Sequence, residues 1–188
     1  MPRQRLTRAE SRERTRLRLL EAAAVIIARK GLAATSVEDI AAQAGYTRGA
    51  FYSNFSSKNE LFIELLRADH ASTQENLQKL LDAAPGEDPQ KQLALLYAHC
   101  YRDNDHYVIW TEARLLAMRD ATFRQRVNVL HVERRDMLVR FIERFCTCAN
   151  VHLPGRCAKL ALALATLMEG AGYFNPMPDR TLRLKSVE

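Results

Sequence analysis

Thr47, Arg48, Gly49, Tyr52, Ser53 and Asn54 stand within one eight-residue stretch whose only apolar members are Ala50 and Phe51. A helix with so little apolar area is not there for its own stability. Its outward groups are of the kind that meet base edges and phosphates in a DNA major groove. The competing reading is an ordinary helical corner with a solvated face. What must position the set is a preceding helix and a tight turn. Val37, Ile40, Ala41 and Ala44 recur at i, i+3, i+4 and i+7, one apolar helix face. Thr35 with Glu38 fits a capping box at its start, and Gly45 falls where a left-handed residue would end it. Thr47 then caps a second helix from Arg48 to Asn54, and Ser57 with Glu60 opens a third. Helix, Gly-containing turn, helix is a helix-turn-helix outline.

Two other groups of residues could carry chemistry. Tyr97, His99, Tyr101, His106, Tyr107, Trp110, Glu112, Arg114 and Met118 mix rings with a few polar groups, as small-molecule cavities do. Trp110 leads this set as a ligand contact, then His106 and Glu112, with Tyr97, Tyr107 and Met118 around them; core aromatics with exposed tips are the plainer reading. Cys146, Cys148, His152 and Cys157 suggest zinc, but structural sites space their ligands more widely than C-x-C, and Cys100 lies far off. Plain thiols are the simpler account, and no metal or cofactor is expected. A metal- or thiol-redox-responsive regulator is kept as an alternative. An enzyme or a non-DNA-binding scaffold is the rival class. No G-x-S-x-G, H-E-x-x-H, P-loop or Rossmann fingerprint occurs, and Glu112 with His106 as an acid/base pair is a combination any helical protein offers.

The remaining elements all read as helical. Residues 1–11, with Arg3, Arg5 and Arg8, read as a flexible basic arm able to reach a minor groove. A first helix runs from about Arg12 to Lys30, with Leu17, Leu20, Ala24 and Ile27 as its stripe and Gly31 as its end. Arg12, Arg14, Arg16 and Arg18 crowd its start, against the helix dipole, which nearby phosphates would account for. The fourth helix runs from Lys58 to Leu81 with Phe62, Leu66, Thr73, Leu77 and Leu81 on one face, so a domain boundary falls inside it. After the loop APGEDP come a helix bearing Leu93, Leu96, Tyr97 and Cys100, another from His106 to Met118, a long one capped by Asp120, and a last from Pro154 to Tyr173. The long one turns Phe123, Val127, Leu130, Leu138, Phe141 and Phe145 inward. No period-2 run appears, so the fold class is all-α.

Charge follows the same division. Of the net +6, residues 1–60 hold 11 Lys/Arg against 6 Asp/Glu, whereas residues 61–188 hold 17 against 16. The excess belongs to the end bearing the helix-turn-helix, as an electrostatic footprint for nucleic acid should. The composition, 47% hydrophobic and 27% charged, is that of a soluble globular protein. No apolar signal region or membrane-length run is visible, so no membrane association and a cytoplasmic location are expected.

GLAATSVEDIAAQAGYTRGAFYSNFSSKNELF resembles the DNA-binding segment of the TetR/AcrR family of transcriptional regulators, over about Arg12 to Leu66. The residues that carry the likeness are Gly31, Thr35, Asp39-Ile40-Ala41, Gly45, the pair Tyr52-x-x-Phe55, and Lys58. The resemblance implies that Tyr52 and Lys58 touch phosphates, that Thr47, Arg48, Gly49 and Ser53 lie against bases or backbone, and that Thr35 belongs with these DNA contacts. It implies a head at 12–66 and a ligand-binding and dimerisation domain at 67–188. The function it implies is that of a homodimeric repressor, released from a palindromic double-stranded operator by a small molecule. Within 154–174, Ala158, Ala161, Ala165 and Gly172 form a stripe of small residues apart from Leu160, Leu164, Leu167 and Met168. A helix with two apolar stripes needs cover on two sides, and the small stripe is the expected dimer face, burial within the monomer being the alternative. After Pro176 only MPDRTLRLKSVE remains where the family adds a further helix, so a small interface is expected.

Overall fold

A computed structural model describes residues 7–83 and 104–148, together with the helical residues 159, 160, 162, 163 and 166. The expected helix around Leu93 to Cys100, including Tyr97, lies outside the described residues, as do Ala158, Ala161, Ala165 and Gly172. So do Cys100, His152 and Cys157 and the side chains of Leu81, Phe145, Cys146 and Cys148. Among the described residues every element is an α-helix: α1 Arg8–Lys30, α2 Val37–Gln43, α3 Arg48–Tyr52, α4 Lys58–Ala83, α5 Asn104–Arg119 and α6 Ala121–Cys148. None is long and apolar enough to cross a membrane.

The first helix starts earlier than its apolar pattern indicates. Thr7 accepts from Glu10 N–H at 3.2 Å while the Glu10 carboxylate accepts from Thr7 N–H at 2.7 Å, a complete capping box. Residues 8–11, expected in the arm, are therefore helical. The first turn carries acidic Glu10, so the four arginines from Arg12 onward sit inside the helix and the expected conflict with its dipole is absent. The buried face is also rotated. Leu17 is 49% exposed, and the core side is Leu19, Leu20, Ala23, Ile26 and Ile27. The reason is that α1 is covered by α2, α4 and α5 together, so its apolar face is set by three neighbours rather than one.

Ser36, not Thr35, caps α2, with its hydroxyl accepting from Asp39 N–H at 3.0 Å and the Asp39 carboxylate accepting from Ser36 N–H at 2.9 Å. The expected Thr35–Glu38 box is displaced by one residue because the Thr35 hydroxyl donates instead to Gly31 C=O, 2.7 Å away. The α2–α3 turn satisfies its carbonyls by Gly45 N–H to Ala42 C=O at 3.0 Å and Tyr46 N–H to Ala41 C=O at 2.8 Å, with Gly45 at φ +75°. At the start of α4 the Ser57–Glu60 box forms only by half. Ser57 accepts from Glu60 N–H at 3.1 Å, but the Glu60 carboxylate turns back to Ser56, accepting from its N–H at 2.6 Å and from its hydroxyl.

One core runs through the described residues. Phe51, Phe55, Leu61, Phe62 and Leu66 continue into Ile109, Trp110, Ala113, Phe123 and Val127, with Phe62 and Phe123 stacked at 5.7 Å. α6 packs on α4 and α5, and Asp120 caps it by accepting from Phe123 N–H at 2.9 Å, as its sequence indicates. α4 spans about 39 Å at 1.5 Å per residue and belongs to both halves. α5 also packs directly on α1, a contact that the sequence pattern did not announce.

Candidate DNA-binding face and the Asp69 cluster

α3 has five residues and one buried anchor, Phe51, which meets Phe55 at 5.8 Å. Thr47 caps it, accepting from Ala50 N–H at 3.3 Å. On the other side Thr47, Arg48, Gly49, Tyr52 and Ser53 are all exposed, so five of the seven residues read as DNA contacts share one open surface. Tyr52 is 47% exposed and stands edge-on to Phe51 at 5.4 Å, which fixes the ring from beneath. The Arg48 guanidinium lies over the Tyr52 ring at 5.5 Å and pairs with Glu38 at 2.9 Å. That pair is exposed on both sides, so it holds Arg48 only loosely. A Cβ on Gly49 would meet Thr47 Oγ1 at 3.7 Å, ordinary contact, so nothing within the protein requires glycine there. The Ser53 hydroxyl donates to Gly49 C=O at 2.9 Å and keeps its lone pairs outward.

The other two expected contacts are placed differently. Thr35 is 2% exposed and its hydroxyl donates inward, so its side chain is a support of the α1–α2 turn and not a contact surface. Lys58 is half-buried and donates to both Leu32 C=O and Thr35 C=O at 2.8 Å. Burial, and then the charge of Lys30, hold its ammonium below the ordinary lysine range. With two of its three N–H groups engaged, one remains for an outside acceptor. Part of the arginine row on α1 also works internally. Arg12 donates to Ser53 C=O at 3.1 Å, bracing the end of α3, and Arg16 pairs with Glu64 of α4 at 2.6 Å. The Asp39 carboxyl is held well below the usual range by the hydrogen bond from Lys30 and then by Ser36.

In the second half, two of the expected ligand contacts gather around a residue that carries no motif. Asp69 of α4 takes the Trp110 indole N–H at 2.7 Å and faces His106 Nδ1 at 2.8 Å. Burial by itself raises the Asp69 carboxyl, but the His106 and Trp110 hydrogen bonds and the charge of Arg134 outweigh it and leave the group below its ordinary value. Arg134 of α6 lies over the Trp110 ring at 4.7 Å and directs Nη2 at His106 Nε2, 3.3 Å away. The imidazole thus lies between the Asp69 carboxylate at Nδ1 and the Arg134 guanidinium at Nε2, so three helices meet through one ring. A signal for Asp69 is nonetheless present in the sequence. It continues the stripe Phe62, Leu66, Thr73, a carboxylate where an apolar residue belongs.

Glu112 is not part of this cluster. Its carboxylate accepts from Leu32 N–H at 3.0 Å, at the end of α1, so it joins α5 to the head and forms no acid/base pair with His106. Met118 is 72% exposed, and Tyr107 is half-buried on α5. Among the described residues no group of three or more His, Cys, Asp or Glu is placed to hold a metal.

The family of bacterial regulatory proteins, tetR family, matches residues 19–65. The HTH-type transcriptional regulator TtgR of Pseudomonas putida is 39% identical over 85 residues, 45% of this chain and 40% of that protein. The HTH-type transcriptional repressor KstR2 of Mycobacterium tuberculosis is 53% identical over 49 residues, 26% of this chain and 24% of the repressor. This chain thus matches less than half the length of these relatives. A transcriptional regulator of Saccharomonospora viridis solved in complex with choline superposes with a TM-score of 0.70 at 21% identity, over 86% of this chain and 84% of that one. That likeness extends the same helical fold over the second half. The capped helix-turn-helix of residues 36–53 lies wholly inside the matched segment, so it is the head of this chain that is similar to the DNA-binding segment of tetR-family regulators.

Proposed function

We propose that the protein is a DNA-binding transcriptional regulator and not an enzyme, a repressor that binds a palindromic operator as a homodimer and leaves it when a small molecule occupies the second half. The observation that carries this reading is the open polar face of α3, Thr47 to Ser53, held on a single buried phenylalanine beside a capped turn. Arg48, Gly49, Tyr52 and Ser53 meet bases and backbone, and the remaining N–H of Lys58 takes a phosphate. KstR2 is a repressor by name, which supports repression here. The division into a head at 12–66 and an effector and dimer region at 67–188 is part of the proposal, with α4 and α5 carrying motion between them. Gel shift and footprinting on the DNA upstream of the gene test it. The expected footprint is an inverted repeat whose half-site centres lie about 34 Å, or a multiple, apart. A single asymmetric half-site bound by a monomer overturns the dimer reading, and turnover of a substrate without DNA binding overturns the regulator.

A further inference from the structure

Glu10, Asp39 and Glu60 each accept a backbone N–H at a helix start, from Thr7, Ser36 and Ser56 in turn. Glu38 does not. Because the α2 box is built from Ser36 and Asp39, the Glu38 carboxylate is left pointing outward from the first turn of α2, 56% exposed. It stands at the edge of the open surface of α3 and meets Arg48 at 2.9 Å, while Arg48 in turn lies over the Tyr52 ring. A surface shaped only for affinity would carry no carboxylate there, since duplex DNA presents one negative charge per about 1.7 Å of its axis. Attraction to the helix dipole accounts for an acidic residue in a first turn. It does not account for one set against the guanidinium that α3 offers to bases.

The chemistry of the pair says what each member can read. In the major groove a guanidinium matches O6 and N7 of guanine, and a carboxylate accepts from the N4 amino group of cytosine. Successive bases are about 3.4 Å apart along a strand, so two groups 2.9 Å apart can be delivered to one base step. Exposed on both sides, the pair parts readily in water. Against DNA the parted carboxylate faces phosphates, so parting is favoured only where a base takes it. We propose that Glu38 is a specificity-determining residue of the DNA-binding face. On random DNA it keeps Arg48 from the phosphates; at the operator it releases Arg48 to a guanine while its own carboxylate takes a neighbouring cytosine. The inference rests on the regulator reading above and adds a residue which that reading does not use.

The test is selection of bound duplexes from a random pool by the full chain. Affinity and salt slope are then measured on the selected site and on random-sequence DNA for the wild-type protein, Glu38→Gln, and the double variant Glu38→Gln with Arg48→Ala. Glu38→Gln is expected to reduce the ratio of selected-site to random affinity tenfold or more. Random DNA should be bound more tightly, with a salt slope steeper by about one unit as Arg48 takes a phosphate. A preference for cytosine at one position of each half-site should relax. The added slope should vanish in the double variant, which has no guanidinium to release. A ratio unchanged within twofold overturns the proposal, and a simultaneous shift in urea unfolding assigns the carboxylate to the helix dipole instead. Equal tightening on both DNAs also overturns it, since repulsion alone acts without regard to sequence. A pool with no enriched sequence for the wild-type protein overturns the regulator reading and takes this inference with it, whereas an enriched site that Glu38→Gln selects equally well overturns this inference alone.

Discussion

Lys58 and Asp69 each serve two purposes, and the two can be separated by measurement. The Lys58 ammonium holds Leu32 C=O and Thr35 C=O and has one N–H left over. Lys58→Ala is therefore expected to lower stability by about 1–3 kcal/mol as two buried carbonyls lose a charged donor. It is also expected to weaken binding to every DNA sequence and reduce the salt slope by about one unit. Urea unfolding and salt-dependent gel shifts read the two effects; a lost slope with no loss of stability shows that the inward bonds carry nothing. Arg48→Ala, by contrast, alters the ranking of operator variants, and equal losses on operator and random DNA refute base reading. For Asp69, the folded pKa lies below its ordinary value near 3.8, so the unfolded state binds more protons and the carboxylate stabilises the fold above that value. This contribution is lost as pH falls below about 4 through the folded pKa. Asp69→Asn should flatten the acid limb of the stability curve and cost about 1–3 kcal/mol at neutral pH, because His106 loses its charged acceptor. An unchanged acid limb in chemical denaturation counts against the cluster.

The helix ends show what the sequence discloses and what it hides. Among the described residues the existence of each helix is legible, because apolar spacing at i, i+3, i+4 and i+7 has few other readings. Where two cap pairs overlap, as in Thr35–Ser36 with Glu38–Asp39, spacing alone has no preference. The choice is made by a third group, Gly31 C=O, which takes the Thr35 hydroxyl. The Thr7–Glu10 box lies in a stretch without apolar periodicity, so nothing there announces a helix. α3 is legible from its poverty of apolar side chains, and Tyr52 and Ser53 are where that reading puts them. Glu112 is not, since its partner is a backbone N–H 80 residues away and leaves no pattern in the chain. Trp110 and His106 are found by type, while Asp69 and Arg134 become visible only when α4, α5 and α6 meet. The turn itself yields a clean prediction. Gly45 has φ +75°, and a Cβ placed there would have nothing within 4 Å, so Gly45→Ala costs only backbone strain, about 1–2 kcal/mol. Gly45→Asn should lose less, because asparagine tolerates this region better. Equal unfolding midpoints for the Ala and wild-type proteins would show that the turn relaxes to another conformation.

At the scale of the molecule, the question is how the second half and the head are held to one another. α4 is the continuous link, α5 packs on α1 as a second, and one hydrogen bond within that second contact can be tested singly. Glu112 Oε2 accepts from Leu32 N–H at 3.0 Å, and its other oxygen lies 3.0 Å from where a Cβ on Gly31 would stand. Gly31 has φ +81°, so glycine is required there by the backbone and again by the carboxylate. Because Leu32 is buried, removing Glu112 leaves its N–H without a partner, at a cost of about 1–3 kcal/mol. Gly31→Ala introduces backbone strain, since φ +81° with ψ 159° is a region that essentially only glycine enters, plus the displacement of Glu112 and loss of the same bond. The two substitutions therefore share a term. The double variant Gly31→Ala with Glu112→Ala should be more stable than the sum of the single losses implies, by about 0.5–3 kcal/mol. If α5 also sets the angle of the head, Glu112→Ala changes operator affinity without touching α3, and the change is as large in the double variant. Additive losses within about 0.5 kcal/mol would mean that the carboxylate yields freely to a methyl group and that the packing of α5 on α1 does not depend on this bond.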